Sequence, residues 1–368
     1  MTQESIYIPV DTLIQFMVDV FTGMGVPEED AKICADVLIT SDLRGIESHG
    51  VGRLKMYYDK LKAGTQMPVT EFEIVREGPT TAVIDGHSGM GHVIAHRAMS
   101  MAIDKARQYG LGAVAVRNSN HFGIDGYYPL MAIKAGMIGM SFTNARPSIA
   151  PTFSVQPMLG TNPIAFGAPT NEECPFLFDG ATSITQRGKV EVLARAEKPV
   201  PEGWIIDQEA NYATDPHAIL DGLVAKKNAL LPLGGVGEET AGYKGYDLAT
   251  IVEILSASLQ TGSFLYGLTG LDADGKPAPN HLGHFFMAID IEHFVPLEEF
   301  KATTSAILND LRNATKAPGQ DRIYTAGEKE FEMEKVVRGQ GVEVNPNLQK
   351  DLKVMKEELG LHQYDFPF

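Results

Sequence analysis

The sequence predicts an α/β fold bracketed by helices, and three features of its patterning carry that prediction. Apolar residues recur at helical spacing from residue 11 to 64, and the period drops to two between Thr70 and Asp85. Strand and helix patterns then alternate to about residue 295, after which the helical period returns. A chain of 368 residues exceeds a usual single domain. The expected division is a helical unit made from residues 1–75 and 296–368, interrupted by an α/β unit over 76–295.

Each element has its own signal. Leu13, Phe16, Met17 and Val20 space a first helix. Pro27-Glu28-Glu29-Asp30 starts a second, which carries Ile33, Val37 and Leu38 and stops at Gly45. Leu54, Tyr57, Tyr58 and Leu61 mark a third. Thr81-Ala82-Val83-Ile84 reads as a strand, followed by a glycine turn and a long helix from Val93 to Tyr109. A strand at Ala113–Val116, a helix at Tyr127–Ala135 and a strand at Ile138–Thr143 continue the alternation. Further strands are expected at Pro163–Gly167, Phe176–Phe178, Trp204–Ile206 and Phe285–Ile291, with a helix at Leu248–Gln260. Helices at Leu297–Leu311 and Leu348–Leu359, the latter stopped by Gly360, are expected to pack back on the N-terminal ones.

Composition removes whole classes of function. A net charge of −16 argues against nucleic acid or an anionic membrane as partner, because both require a basic surface. Individual arginines become more telling, since an anionic substrate needs local positive charge. The only cysteines, Cys34 and Cys174, imply no disulfide framework and fit a reducing cytosol. Met1–Asp11 has no basic region followed by an apolar core, and no run approaches the ~18 apolar residues of a membrane span. A cytoplasmic protein is expected.

Chemistry concentrates in Glu47-Ser48-His49-Gly50-Val51-Gly52-Arg53. With Ser48 as the N-cap of a helix, His49 and Arg53 lie four residues apart on one face. A histidine titrates near neutrality, and an arginine grips a carboxylate with two parallel hydrogen bonds. Together they suit a small carboxylate substrate undergoing proton transfer. Taken alone, the same residues also read as a solvated turn between two helices.

Other motifs are weaker. Gly86-His87-Ser88-Gly89-Met90-Gly91 follows a strand and opens a helix, yet Ile94 occupies the third glycine position of a dinucleotide fingerprint. Arg117-Asn118-Ser119 also stands where that fingerprint needs an acid for the ribose. Leu233-Gly234-Gly235, followed by Lys244, could cradle a phosphate or be a plain loop; Pro318-Gly319 with Arg322 is equally open. His92 and His96, and His281 and His284, lack the acidic or cysteine partners of a zinc motif, so no metal is expected. No Gly-x-Ser-x-Gly elbow accompanies Ser48. A metal-dependent hydrolase is the alternative from a different class, and a non-catalytic binding module a further one.

Taken together, several stretches resemble the type 2 malate/L-lactate dehydrogenase family, which includes sulfolactate and ureidoglycolate dehydrogenases and diketogulonate reductase. They are residues 42–53, Asn118-Ser119-Asn120-His121-Phe122-Gly123, residues 157–165, Phe178-Asp179-Gly180-Ala181-Thr182-Ser183, Arg187-Gly188-Lys189, Tyr243-Lys244-Gly245-Tyr246 and Pro318-Gly319, spread over almost the whole chain. The resemblance implies an NAD-dependent oxidoreductase, with NADP possible, that interconverts 2-hydroxy and 2-oxo acids. Malate and oxaloacetate are the first expectation, and L-lactate, sulfolactate, ureidoglycolate, diketogulonate or a cyclic imine the alternatives. It further implies a non-Rossmann cofactor domain and a homodimer. His49 takes the family's proton-transfer role, supported by Ser48, and Arg53 the carboxylate clamp; His121 is the other acid/base candidate, and Glu191 would orient the histidine. Cofactor contacts fall on His121, Phe122, Gly123, Ile124, Asp125, Thr161, Asp179, Gly180, Ala181, Arg187, Gly188, Leu233, Gly234, Gly235, Lys244, Pro318 and Gly319. The chain departs from the family at Gly180, usually methionine, and at Asp247, usually glycine.

Overall fold

A computed structural model describes residues 6–368, so the start of the Met1–Asp11 segment lies outside the described residues. The elements in chain order are β1 (Ile6–Ile8), α1 (Val10–Gly23), α2 (Glu28–Leu43), α3 (Leu54–Lys62), β2 (Glu73–Glu77), β3 (Thr81–Asp85), α4 (Gly91–Tyr109) and β4 (Leu111–Ser119). There follow α5 (Tyr127–Lys134), β5 (Met137–Thr143), β6 (Ile164–Ala168), β7 (Phe176–Gly180), α6 (Arg187–Arg195), β8 (Ile205–Ile206), α7 (Pro216–Val224) and β9 (Ala229–Leu230). The chain ends with α8 (Gly242–Ala257), β10 (Leu282–Asp290), α9 (Leu297–Arg312), α10 (Glu328–Gln340), β11 (Val342–Val344) and α11 (Pro346–Leu359).

A seven-stranded sheet ordered β2-β3-β4-β10-β5-β6-β7 forms the centre. Only β3 and β4 pair in parallel, joined by the α4 crossover; every other neighbour is antiparallel because β10 returns from far along the chain to lie between β4 and β5. The fold is mixed α/β. Helix α4 lies close on the sheet through Ala95, Ala98, Ala102 and Ala106, all fully buried. Gly112 on β4 permits that approach, since a Cβ there would overlap the Ala102 carbonyl.

A second core lies among the helices. Leu13, Phe16, Met17 and Phe21 of α1, Leu38 and Ile39 of α2, and Leu54 and Tyr57 of α3 pack with Leu352 and Met355 of α11 and with Tyr364 and Phe366 of the tail. Phe16 meets both tail rings edge-on at 5.1 Å. Helix α2 is buried on both sides: Val37 belongs to the sheet-side core, while Leu38 belongs to the helical one. Its C-terminal end therefore delivers residues 42–53 to the seam between the two cores.

Two expectations need correction. Helix α9 contributes no side chain to the helical core; Ser305 accepts the Asn171 N–H at 2.9 Å and Arg312 forks onto Glu172 at 2.9 and 2.8 Å, fixing α9 to the β6–β7 turn. Trp204–Ile206 does not join the main sheet, because β8 pairs with β9 in a separate ribbon. The β1–β11 pair and helices α6, α7 and α10 were not signalled by apolar periodicity. Among the described residues, no helix is long and apolar enough to cross a membrane.

Candidate active site

Residues 47–53 are not one helix. They form two short 3-10 turns, Glu47–His49 and Val51–Arg53, broken at Gly50, and Ser48 caps nothing. The cause is Asp42, a buried carboxyl from the last turn of α2 that accepts the Val51 N–H at 2.7 Å. Gly50 packs so closely on it that a Cβ would overlap the carboxyl. Burial pushes Asp42 up to about 8, with Glu47 adding to the rise against the Val51 hydrogen bond.

The break still brings the expected side chains together. Ser48 Oγ and His49 Nδ1 are hydrogen-bonded at 2.8 Å. Arg53 Nε donates to the Ser48 carbonyl at 2.5 Å, leaving its terminal N–H groups for a ligand. Half-buried His49 is pushed down to about 4, first by burial and then by Arg53, so the imidazole is neutral at ordinary pH. Its ring stacks on that of His121, with centroids 5.4 Å apart.

His121 is held by Tyr57, a fully buried residue of α3 whose hydroxyl lies 2.5 Å from His121 Nδ1. Gly123 N–H also points at Nδ1, at 3.4 Å. Two donors converge on Nδ1, so it carries the lone pair and the neutral ring bears its proton on Nε2. Burial, and then His49 and His92, keep His121 well below the usual imidazole range.

Both histidines open on a cleft of about 380 Å³. Its walls include Ser48, Phe122, Gly123, Ile124, Asp125, Thr161, Asp179, Gly180 and Ala181, nine residues named from the sequence. Phe122 is fixed between Tyr128 at 4.8 Å and the ring of His284 at 4.4 Å. His284 is itself bonded to Thr143 Oγ1 at 2.7 Å and Ser119 Oγ at 2.8 Å; it is a buried strut, not half of a metal pair. Gly123 adopts a φ of +85°, which its lack of Cβ makes available. Asp125 is buried and its Oδ2 has no partner among the described residues; burial and neighbouring Asp179 hold its carboxyl well above the usual range. Asp179 accepts the Gly126 N–H at 2.8 Å, and desolvation pushes it up to about 6.

Helix α6 brings Arg187 and Gly188 to the same end, where a Cβ on Gly188 would touch Ser48 at 3.7 Å. Glu191 does not orient a histidine: its carboxylate takes Arg187 Nε at 2.9 Å, one turn away. Lys244 places its ammonium over the Tyr243 ring at 5.9 Å, Leu233 N–H donates to the Thr182 carbonyl, and Pro318-Gly319 is exposed. None of these, nor Gly234 and Gly235, forms a wall of the cleft. Arg322 pairs with Glu328 and Glu332. His92 packs against the Tyr57 ring at 4.6 Å, whereas His96 lies in an outer groove. Among the described residues, no three His, Cys, Asp or Glu side chains gather as metal ligands would.

The structure adds residues that sequence reasoning missed. Arg146 follows β5; burial first, and then the charges of Arg187 and Arg53, lower its pKa. Lys60 of α3 is lowered to about 8 by burial and by Arg146. Arg53, Lys60 and Arg187 thus gather around Arg146, and His121 of the cleft feels both Arg53 and Lys60. The loop carrying Arg146 is held by Asn162, whose Oδ1 accepts the Ala145 N–H at 3.2 Å and whose amide donates to buried Glu253 at 2.8 Å. Tyr57, four residues after Arg53, offered a helical-spacing signal; Arg146 offered none.

A profile described as malate/L-lactate dehydrogenase matches residues 8–353. A malate dehydrogenase of Pyrococcus horikoshii is 48% identical over 326 residues, 89% of this chain and 88% of its own length. An L-sulfolactate dehydrogenase of Methanocaldococcus jannaschii is 40% identical, covering 96% of this chain and 97% of its own. Among solved structures, the crystal structure of malate dehydrogenase from Entamoeba histolytica superposes with a TM-score of 0.94 at 41% identity, covering 99% of this chain and all of the other.

Proposed function

Since the chain belongs to the malate/L-lactate dehydrogenase family, we propose that it interconverts malate and oxaloacetate, with NAD as cofactor and NADP as the alternative. One observation carries the reading: a neutral histidine backed by a serine lines the cleft, and an arginine hydrogen-bonded through Nε to that serine's carbonyl keeps its terminal N–H groups for a ligand beside it. In oxidation, His49 takes the hydroxyl proton at Nε2 while its Nδ1–H donates to Ser48 Oγ. Arg53 holds the carboxylate next to the reacting carbon. His121, whose Nδ1 is occupied by Tyr57, offers Nε2–H to the same oxygen and stabilises it as it gains negative charge. The second carboxylate of a dicarboxylate suits Arg146. A sulfonate would suit it too, which keeps sulfolactate as the second substrate reading.

The cleft fits a dinucleotide. Orphaned Asp125 Oδ2, the turn at Gly123 and the small residues Gly180 and Ala181 leave polar, open space along one wall. His121 to Asp125, Thr161 and Asp179 to Ala181 would hold the cofactor, flanked by Arg187 and Gly188. When bound, it accepts or supplies the hydride. The cofactor unit is read as a non-Rossmann domain inserted between helical segments from both ends of the chain. A homodimer is part of this reading: Leu248, Ile251 and Ile254 leave an apolar face of α8 exposed, continued by Leu259 and Phe264.

A spectrophotometric panel tests the proposal: NADH and NADPH, each with oxaloacetate, pyruvate, sulfopyruvate, diketogulonate and a cyclic imino acid. Oxidation of NADH fastest with oxaloacetate is the expected result. Activity lost to a chelator, with no turnover of either cofactor, would instead support the hydrolase class. His49→Ala should lower turnover far more than cofactor affinity; unchanged turnover passes the role to His121.

A further inference from the structure

A second cavity, of about 290 Å³, lies beyond the Asp179 wall of the cleft, between the end of α2 and the start of α10. Its one deeply buried ionic side chain is Arg44, which is 7% exposed. Among the described residues, Arg44 makes no side-chain hydrogen bond and no ion pair. That is unusual, because a buried cation without a partner loses its hydration and recovers nothing for it. Burial lowers its pKa below the ordinary arginine range without discharging it. The nearest opposing charges, Glu330, Glu334 and Asp179, act on it only from beyond ion-pair distance.

A second, independent feature faces the same space. Residues Thr325 to Gly327, Lys329 and Glu330 line the cavity, so the N-terminal end of the 13-residue helix α10 opens into it. Gly327, its N-cap with φ +94°, places no side-chain oxygen on the first N–H groups. Glu328, an acid of that first turn, is already engaged by Arg312, Arg322 and Thr325. An unpaired guanidinium and uncapped helix N–H groups are the two parts from which oxyanion sites are made.

We infer that this cavity binds a phosphate-class oxyanion, held by the Arg44 guanidinium and the open N-terminal turn of α10. The anion has two possible sources: a phosphoryl group of the dinucleotide in the adjoining cleft, or free phosphate acting from outside it. The binding itself does not rest on the dehydrogenase reading; only the dinucleotide source does.

The test titrates inorganic phosphate into the full chain by calorimetry, using wild type, Arg44→Met and Arg44→Lys in a buffer free of other oxyanions. Saturable binding to wild type, weakened at least tenfold in Arg44→Met and partly kept in Arg44→Lys, is expected. Melting in the same buffer separates a ligand-binding arginine from a structural one. Arg44→Met removes an unpaired buried charge, so it should melt no lower than wild type without phosphate and lose the upward shift that phosphate gives. Repeating the titration with NADH or NADPH present identifies the source. Competition assigns the site to a phosphoryl group of that dinucleotide, and undiminished binding assigns it to free anion. No saturable phosphate binding to wild type, together with unchanged dinucleotide affinity in Arg44→Met, overturns the inference whether or not the enzyme oxidises malate.

Discussion

Replacing Arg53 by methionine should change two quantities that a simple loss of fold would not change together. The first is substrate recognition. Arg53 commits Nε to the Ser48 carbonyl and keeps its terminal N–H groups for a carboxylate. Charge-assisted hydrogen bonds contribute about 1.5–3 kcal/mol each, so losing two lowers kcat/KM by roughly 10²- to 10⁴-fold. The second is the basicity of His49, which is held at about 4 by burial first and by Arg53 second. Without the guanidinium the histidine pKa should rise, yet stay below its ordinary 6.5 because the larger cause remains. The assay is the pH dependence of kcat/KM for malate oxidation in wild type, Arg53→Met and Arg53→Lys. Oxidation needs the neutral imidazole, so activity falls as pH drops through the pKa of the free enzyme. Wild type should keep its activity down to about pH 4, Arg53→Met should lose it at higher pH, and Arg53→Lys should resemble wild type. A wild-type limb near 6.5, or one that Arg53→Met does not move, would refute the electrostatic argument.

Three further outcomes follow from the same geometry. Asp42 is raised from 3.8 to about 8, so its contribution to stability is fully present below pH 3.8 and is lost as pH rises through 8. Urea unfolding should show Asp42→Asn gaining on wild type over that window, by up to about 6 kcal/mol; a constant difference would show that the carboxyl does not titrate there. Tyr57→Phe removes the donor to His121 Nδ1 and should reduce kcat roughly 5- to 100-fold with cofactor affinity intact. Nitrogen NMR should show Nε2–H in wild type and a mixture of tautomers in the variant; identical spectra would release Tyr57 from the role. Glutamate at Ile251 and Ile254 should turn a dimer into a monomer in sedimentation velocity, and a persisting dimer would place the interface elsewhere.

What the sequence revealed and what it hid divide along the range of the interactions involved. Helices α1, α4 and α11 were readable because each buries a stripe of apolar residues at helical spacing, and α2, buried on both sides, was marked by its Pro27 start and Gly45 stop. Helix α10 was not, since Glu328-Lys329-Glu330-Phe331-Glu332 shows no stripe and is held largely by ion pairs. The position of β10 between β4 and β5 is a pairing across more than a hundred residues, which no local pattern encodes. In the site, Ser48, His49 and Arg53 were legible as residue types, but their backbone was not. The break at Gly50 is imposed by the Asp42 carboxyl, packed there by α2. Arg146 was invisible for the same reason: only the fold brings β5, α3 and α6 to one place.

The electrostatics of the cleft resolve an apparent contradiction in the composition. A chain with net charge −16 should repel a dicarboxylate, yet four cations gather beside the histidines of its cleft. Desolvation limits how far nearby acids cancel them, because it disfavours the charged form of a carboxyl more effectively than that of an arginine. Asp42, raised to about 8, is mostly protonated at neutral pH, and burial and then Asp179 shift the Asp125 carboxyl well above the usual range. Arginine begins so far above neutrality that the same desolvation leaves Arg146 charged. Burial therefore biases the local field without requiring a basic surface: it disfavours the charged forms of Asp42 and Asp125, arginine keeps its charge, and His49 stays neutral until substrate arrives. A bound carboxylate on Arg53 then offsets the second cause of the depressed His49 pKa. The base accepts its proton more readily once the anion that supplies it is in place.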